Sequence, residues 1–94
     1  MEAPAAIEIR RDASFDCRTA LTEVNRMICA DARLGALDVA MGDAYRAAVR
    51  RGGPEAEYQI DSEQASFLNA RAGCQTPGCI ARMTRRRLDD LHEY

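Results

Sequence analysis

The residues best equipped for chemistry in this chain are four cysteines, Cys17, Cys29, Cys74 and Cys79. Thiols serve as nucleophiles, redox pairs, metal ligands or disulfide partners, and their spacing separates these roles. No C-x-x-C occurs, which argues against a redox-active pair. The spacings C-x11-C and C-x4-C fit poorly with the paired knuckles of a zinc site, and the one histidine, His92, lies in the C-terminal tail. An even number of cysteines in a short chain favours disulfides where the compartment is oxidising. Four cysteines allow three pairings. The two local ones, Cys17–Cys29 and Cys74–Cys79, are favoured here. In the chain-entropy picture the first would stabilise by about 3 kcal/mol and the second by less. No metal and no other cofactor is expected.

The remaining polar residues point away from catalysis. A hydrolase needs an activated nucleophile or a pair of poised acids. Ser14, Ser62 and Ser66 have no obvious base, oxidised cysteines are not nucleophiles, and a domain this small offers little room for a cleft. The chain is therefore not expected to be an enzyme. Arg82, Arg85, Arg86 and Arg87 form a basic run suited to phosphates, but Asp89 and Asp90 follow at once and the formal net charge is −2. Nucleic acid is not expected as a partner. Carboxylates gather at Glu55, Glu57, Asp61 and Glu63, and again at Asp89, Asp90 and Glu93. The first group is the candidate partner-binding patch, able to steer a cationic protein. Its structural alternative is a solvated face whose acids favour a helix start.

The elements that position these residues read as helices. The chain has 94 residues, 47% hydrophobic and 30% charged, enough for one domain with one modest core. It has two Phe, three Tyr and no Trp, so the core is built from aliphatic residues that suit helices better than sheets. Lysine is absent and every basic residue is Arg, which we read as coding bias. Ile7 and Ile9 alternate with Glu8 and Arg10 in a short extended piece of an N-terminal arm, residues 1–13. A single domain follows over residues 14–94. Thr22 caps a first helix from Glu23 to about Ala30, with Val24 and Ile28 on one face. Asp31 caps a second helix from Ala32 to about Arg51, whose stripe is Leu34, Leu37, Met41, Tyr45 and Ala48. Gly52-Gly53-Pro54 should stop it. A third helix over Glu57 to Ala72 carries Ile60, Gln64, Phe67, Leu68 and Arg71, and Gly73 closes it. Thr76 and Pro77 open a fourth helix, running to about His92, with Ile80, Met83, Leu88 and Leu91 inward. Arg87 is expected on a charged, exposed face with its stem partly packed. The fold class is thus all-α, a small disulfide-stapled bundle of about four helices. Asp38 and Arg71 fall on inward faces, and a buried charge needs a partner. They are expected to form an ion pair across two helices.

No stretch reaches the roughly 20 apolar residues of a membrane span. Glu2-Ala3-Pro4-Ala5-Ala6 looks like the start of a processed chain, with Met1 standing where an export signal was removed. The whole pattern is Ser14-Phe15-Asp16-Cys17, Asn25-x-x-Ile28-Cys29 and Asp31-x-x-Leu34-x-x-Leu37-Asp38-x-x-Met41-x-x-x-Tyr45. It continues with Gln64-x-x-Phe67-Leu68-x-x-Arg71-x-x-Cys74, Cys79 and Arg87-Leu88-x-x-Leu91. This resembles the LprI family of lysozyme inhibitors, small exported or lipid-anchored bacterial proteins, over nearly all the chain after residue 13. The sequence departs from the family at Phe67, where Trp is usual, at Asn25, where Glu is usual, and near Thr84, where an aromatic is usual. The resemblance implies an all-helical fold, two disulfides, a periplasmic or secreted location and binding to a lysozyme-type hydrolase. An immunity protein against a wall-degrading toxin, or an envelope-stress protein with another protein partner, is the alternative.

Overall fold

The computed structural model describes residues 12–94. The extended piece at Ile7 and Ile9, and all of the expected arm except Asp12 and Ala13, lie outside the described residues. A single 3-10 turn at Cys17–Thr19 precedes three α-helices: α1 (Glu23–Ala30), α2 (Ala32–Arg71) and α3 (Pro77–Leu91). No strand occurs among the described residues. Each start is fixed by a side-chain oxygen accepting main-chain N–H groups that the first turn leaves without partners. Thr22 accepts from Asn25, Asp31 from Arg33 and Leu34, and Thr76 from Cys79. Pro77 sits at the opening of α3, where its missing N–H costs nothing.

The helix count differs from expectation. Gly52-Gly53-Pro54 makes a kink rather than a loop, so α2 runs through it and the described chain has three helices where about four were expected. Only Gly53 leaves helical space, at φ 69° and ψ −173°. A positive φ is open to glycine without the Cβ penalty other residues meet. One such residue redirects the axis, and Pro54 then opens the outgoing segment with its fixed φ. The kink divides α2 into a proximal arm, 32–52, and a distal arm, 54–71. The Tyr45 hydroxyl donates to Asp61 Oδ1 at 2.5 Å, tying the arms together across the bend.

α3 packs chiefly along α2, and α1 packs on α2. The core has two parts. Ala13, Val24, Ile28, Leu34, Cys74 and Ile80 form one; Met41, Ala44, Ala48, Ile60 and Leu91 form the other. Leu68, placed inward by the sequence stripe, is instead 42% exposed. The disulfides are Cys17–Cys29 and Cys74–Cys79, with Cα atoms 5.8 and 5.6 Å apart. The first ties the segment ahead of α1 to that helix's end, and the second joins the end of α2 to the start of α3. No helix among the described residues is long and apolar enough to cross a membrane.

Candidate functional site

Two polar assemblies and one unpartnered helix face are the places where function could reside. The first assembly is buried. Asp38 on the proximal arm and Arg71 at the end of the distal arm are 1% and 3% exposed. Arg71 Nη1 donates to Asp38 Oδ1 at 2.8 Å and to Thr84 Oγ at 3.3 Å. Thr84 passes its own hydrogen to the carbonyl of Ile80, at 2.8 Å. The second oxygen of Asp38 accepts the Ser14 N–H at 2.7 Å. The Arg71 guanidinium also lies over the Phe67 ring, 5.1 Å from its centre. Both carboxylate oxygens are thus satisfied, as a buried charge requires. The group joins four segments: residues 12–16, both arms of α2, and α3.

Residues 12–16 form a strap seated directly on α2. A Cβ on Gly35 would collide with the Asp12 carbonyl oxygen, and one on Gly42 would lie 3.2 Å from Ser14 Cβ. The two glycines flank Asp38 at one-turn spacing; a side chain at Gly35 would displace the strap's backbone, and one at Gly42 would crowd the Ser14 side chain.

The second assembly lies between the distal arm and the C-terminal end of α3. Glu63 accepts from the Tyr94 hydroxyl at 2.5 Å and from Gln59 at 3.0 Å, with Arg87 at 3.5 Å. The Tyr94 hydrogen bond, then that from Gln59, hold the Glu63 carboxyl below its usual pKa of 4.5 against the opposing effect of burial. The same contact with Glu63 pushes the Tyr94 phenol up. Arg51 closes the corner by donating to the main-chain oxygens of Tyr94 and Leu91, at 2.8 and 2.9 Å. Beside this clamp runs an open groove of about 650 Å³, lined by Ser62, Glu63, Ser66, Phe67, Met83, Arg86, Arg87, Asp90, Glu93 and Tyr94. Charges of both signs face it, and Glu63 and Arg87 are already partnered inside the molecule.

Arg87 is a correction to the sequence reading. It is 4% exposed rather than a surface cation, because Ile80, Thr84, Arg87 and Leu91 share one face of α3. Its Nε donates to Gln64 Oε1 at 2.9 Å and its Nη2 to the Ile60 carbonyl at 3.3 Å. Gln64 in turn donates to Met41 Sδ at 3.2 Å. The spacing from Ile80 to Leu91 carried the signal for burial, and the surrounding run of arginines masked it.

The four carboxylates of the candidate patch are not brought together. Glu63 belongs to the Tyr94 clamp. Asp61 accepts from Tyr45, whose phenol is pushed up first by that hydrogen bond and further by burial and by the charges of Asp61 and Glu57. Glu57 and Asp61, four residues apart, share a face, while Glu55 and Glu57 are exposed without a main-chain or side-chain partner in common. Up to Arg71 at its end, the distal arm nevertheless has one sign of charge: residues 52–70 contain these four acids and no Arg. Among the described residues no group of three or more potential metal ligands converges.

No protein-family model, curated protein or solved structure matches the chain.

Proposed function

We propose that this chain is an exported, non-enzymatic binding domain of the LprI type that blocks the cleft of a lysozyme-like peptidoglycan hydrolase. The observation that carries this reading is that residues of the quoted pattern, far apart in sequence, meet in space. Ser14 and Arg71 converge on Asp38, Phe67 lies under Arg71, and the cysteines pair as Cys17–Cys29 and Cys74–Cys79. A pattern whose members interlock is what a shared scaffold would produce, which supports the likeness. Two disulfides suit an oxidising, extracytoplasmic compartment. Apart from Arg71 at its end, the distal arm is acidic, which suits a cationic enzyme, and lysozymes of animal type are cationic with two carboxylates in a cleft.

The test is a cell-wall lysis assay with oxidised protein titrated against several lysozyme types. Saturating inhibition near an equimolar ratio is expected. Inhibition of none of them would remove the reading, and capture from envelope extracts would then seek the partner.

A further inference from the structure

The inward face of the distal arm is fully used: Ile60, Phe67 and Arg71 meet the core or the buried ion pair. Its outer flank is not. At about 100° per residue, Tyr58, Asp61, Ala65, Leu68 and Ala72 fall within about 80° of one another, a strip about 21 Å long. All five are exposed. Tyr58 is 84% and Leu68 42% exposed, which makes them two of the three large apolar side chains turned to solvent among the described residues. The third, Leu21, is 79% exposed and adjoins Thr22, which together with Phe15, Val24, Leu68, Ala72 and the Asp38-paired Arg71 lines a hollow of about 330 Å³ at the lower end of the strip.

From this we infer that the strip from Tyr58 to Ala72, with the hollow below it, is the surface that docks a basic face of the hydrolase. The inference rests on the inhibitor reading and names its surface. An exposed tyrosine at one end of the helix strip, and an exposed leucine at the edge of the hollow at the other, supply the kind of apolar anchors that dominate binding at interfaces. Glu57 and Asp61 stand beside Tyr58 on an arm that has no cation from residue 52 to 70, so the complementary partner surface is positive. The larger groove by Tyr94 is the poorer candidate, since the exposed cation Arg86 faces it beside Asp90 and Glu93, whereas the cation at the hollow, Arg71, is buried against Asp38.

The experiment uses the full oxidised chain and a panel of cationic animal-type lysozymes, with binding followed by interferometry and inhibition by wall lysis. Tyr58→Ala should weaken binding about tenfold or more. Ala65→Arg puts a cation at the middle of an exposed strip, where the helix tolerates it, and should weaken binding at least as much. Glu57→Gln with Asp61→Asn should slow association and flatten its salt dependence. Arg85→Gln, exposed on α3, should change nothing. Circular dichroism and thermal unfolding confirm that each variant is folded. If the wild type binds and inhibits but Tyr58→Ala and Ala65→Arg bind equally well, the strip is refuted while the inhibitor reading stands. If binding is lost in those variants yet the wild type binds without slowing lysis, the strip stands and the cleft-blocking reading falls. If the wild type binds no lysozyme in the panel, both fall.

Discussion

Replacing Arg71 by alanine should be among the most damaging single changes available to this protein. The substitution leaves the Asp38 carboxylate, 1% exposed, held by the Ser14 N–H but without its cation. It also removes the donor to Thr84 and the cation over Phe67. Breaking a buried pair from one side costs about 3–5 kcal/mol, because the survivor is left charged and poorly compensated. A domain of this length has roughly 5–14 kcal/mol in total. At about 4–8 °C per kcal/mol, the melting temperature should fall by at least about 12 °C. Urea and thermal unfolding of the oxidised protein would measure it. Asp38→Leu combined with Arg71→Met removes both charges, and the double variant should regain much of the single variant's loss. The Ser14 N–H loses its acceptor in that variant, so the recovery should be incomplete. A loss below about 1 kcal/mol for Arg71→Ala, or a double variant no more stable than the single one, would refute the reasoning.

Other consequences can be checked in the same assays. Replacing Cys17 and Cys29 together by serine should cost about 3 kcal/mol for a sequence separation of 12, against about 2 kcal/mol for Cys74 with Cys79 at a separation of 5, read as the difference in urea midpoint. Gly35→Ala should destabilise by about 1–3 kcal/mol despite alanine's better helix propensity, because its methyl group must displace the strap at the Asp12 carbonyl; an unchanged or raised melting temperature would show that the strap is not seated. The Glu63–Tyr94 clamp should give stability that fails at both ends of the pH scale. Glu63's folded pKa is lowered, so its contribution is complete above 4.5 and is lost as pH falls through the lower folded value. Tyr94's is raised, so its contribution is complete below 10.0 and is lost as pH rises through the higher one. Tyr94→Phe should flatten both dependences in thermal melts, and a profile unchanged by that substitution would contradict the clamp.

Local signals made much of the fold legible. Thr22, Asp31 and Thr76 each precede an apolar period and each caps a helix, since a side-chain oxygen at that position has little else to bind. The Asp38–Arg71 contact was also within reach, as two opposite charges on inward stripes have few other ways to be satisfied. What escaped was set by geometry that composition does not encode. Gly52-Gly53-Pro54 predicts a stop, but whether a positive-φ residue ends a helix or bends it depends on what the outgoing segment packs against. Arg87 was read by its charged neighbours rather than by its spacing from Ile80 and Thr84. Leu68 was placed inward because Ile60, Gln64 and Phe67 define a broad stripe, yet it sits at that stripe's edge and is turned out. The four acids of the distal arm were grouped by proximity in sequence, and helical rotation distributes them over different faces.

These departures bear on where a partner can dock. The buried polar groups are used up in holding segments together: Asp38 joins the strap to both arms, Arg87 joins α3 to the distal arm, and Arg51 closes the end of α3. Residues spent in this way cannot turn outward without dismantling the fold, so recognition has to come from side chains the architecture does not need. Leu68 is informative for this reason. A leucine at the border of an inward stripe could be covered by a small rotation of the distal arm, but the Tyr45–Asp61 hydrogen bond, the kink at Gly53 and the Arg71 pairing fix that rotation from both ends. Relaxing one of these constraints should therefore alter the exposure of Leu68. Tyr45→Phe removes the tie nearest the bend, and faster hydrogen exchange along residues 54–68 together with weaker partner binding is the expected result. Unchanged exchange there would mean that the kink and the ion pair hold the arm without it.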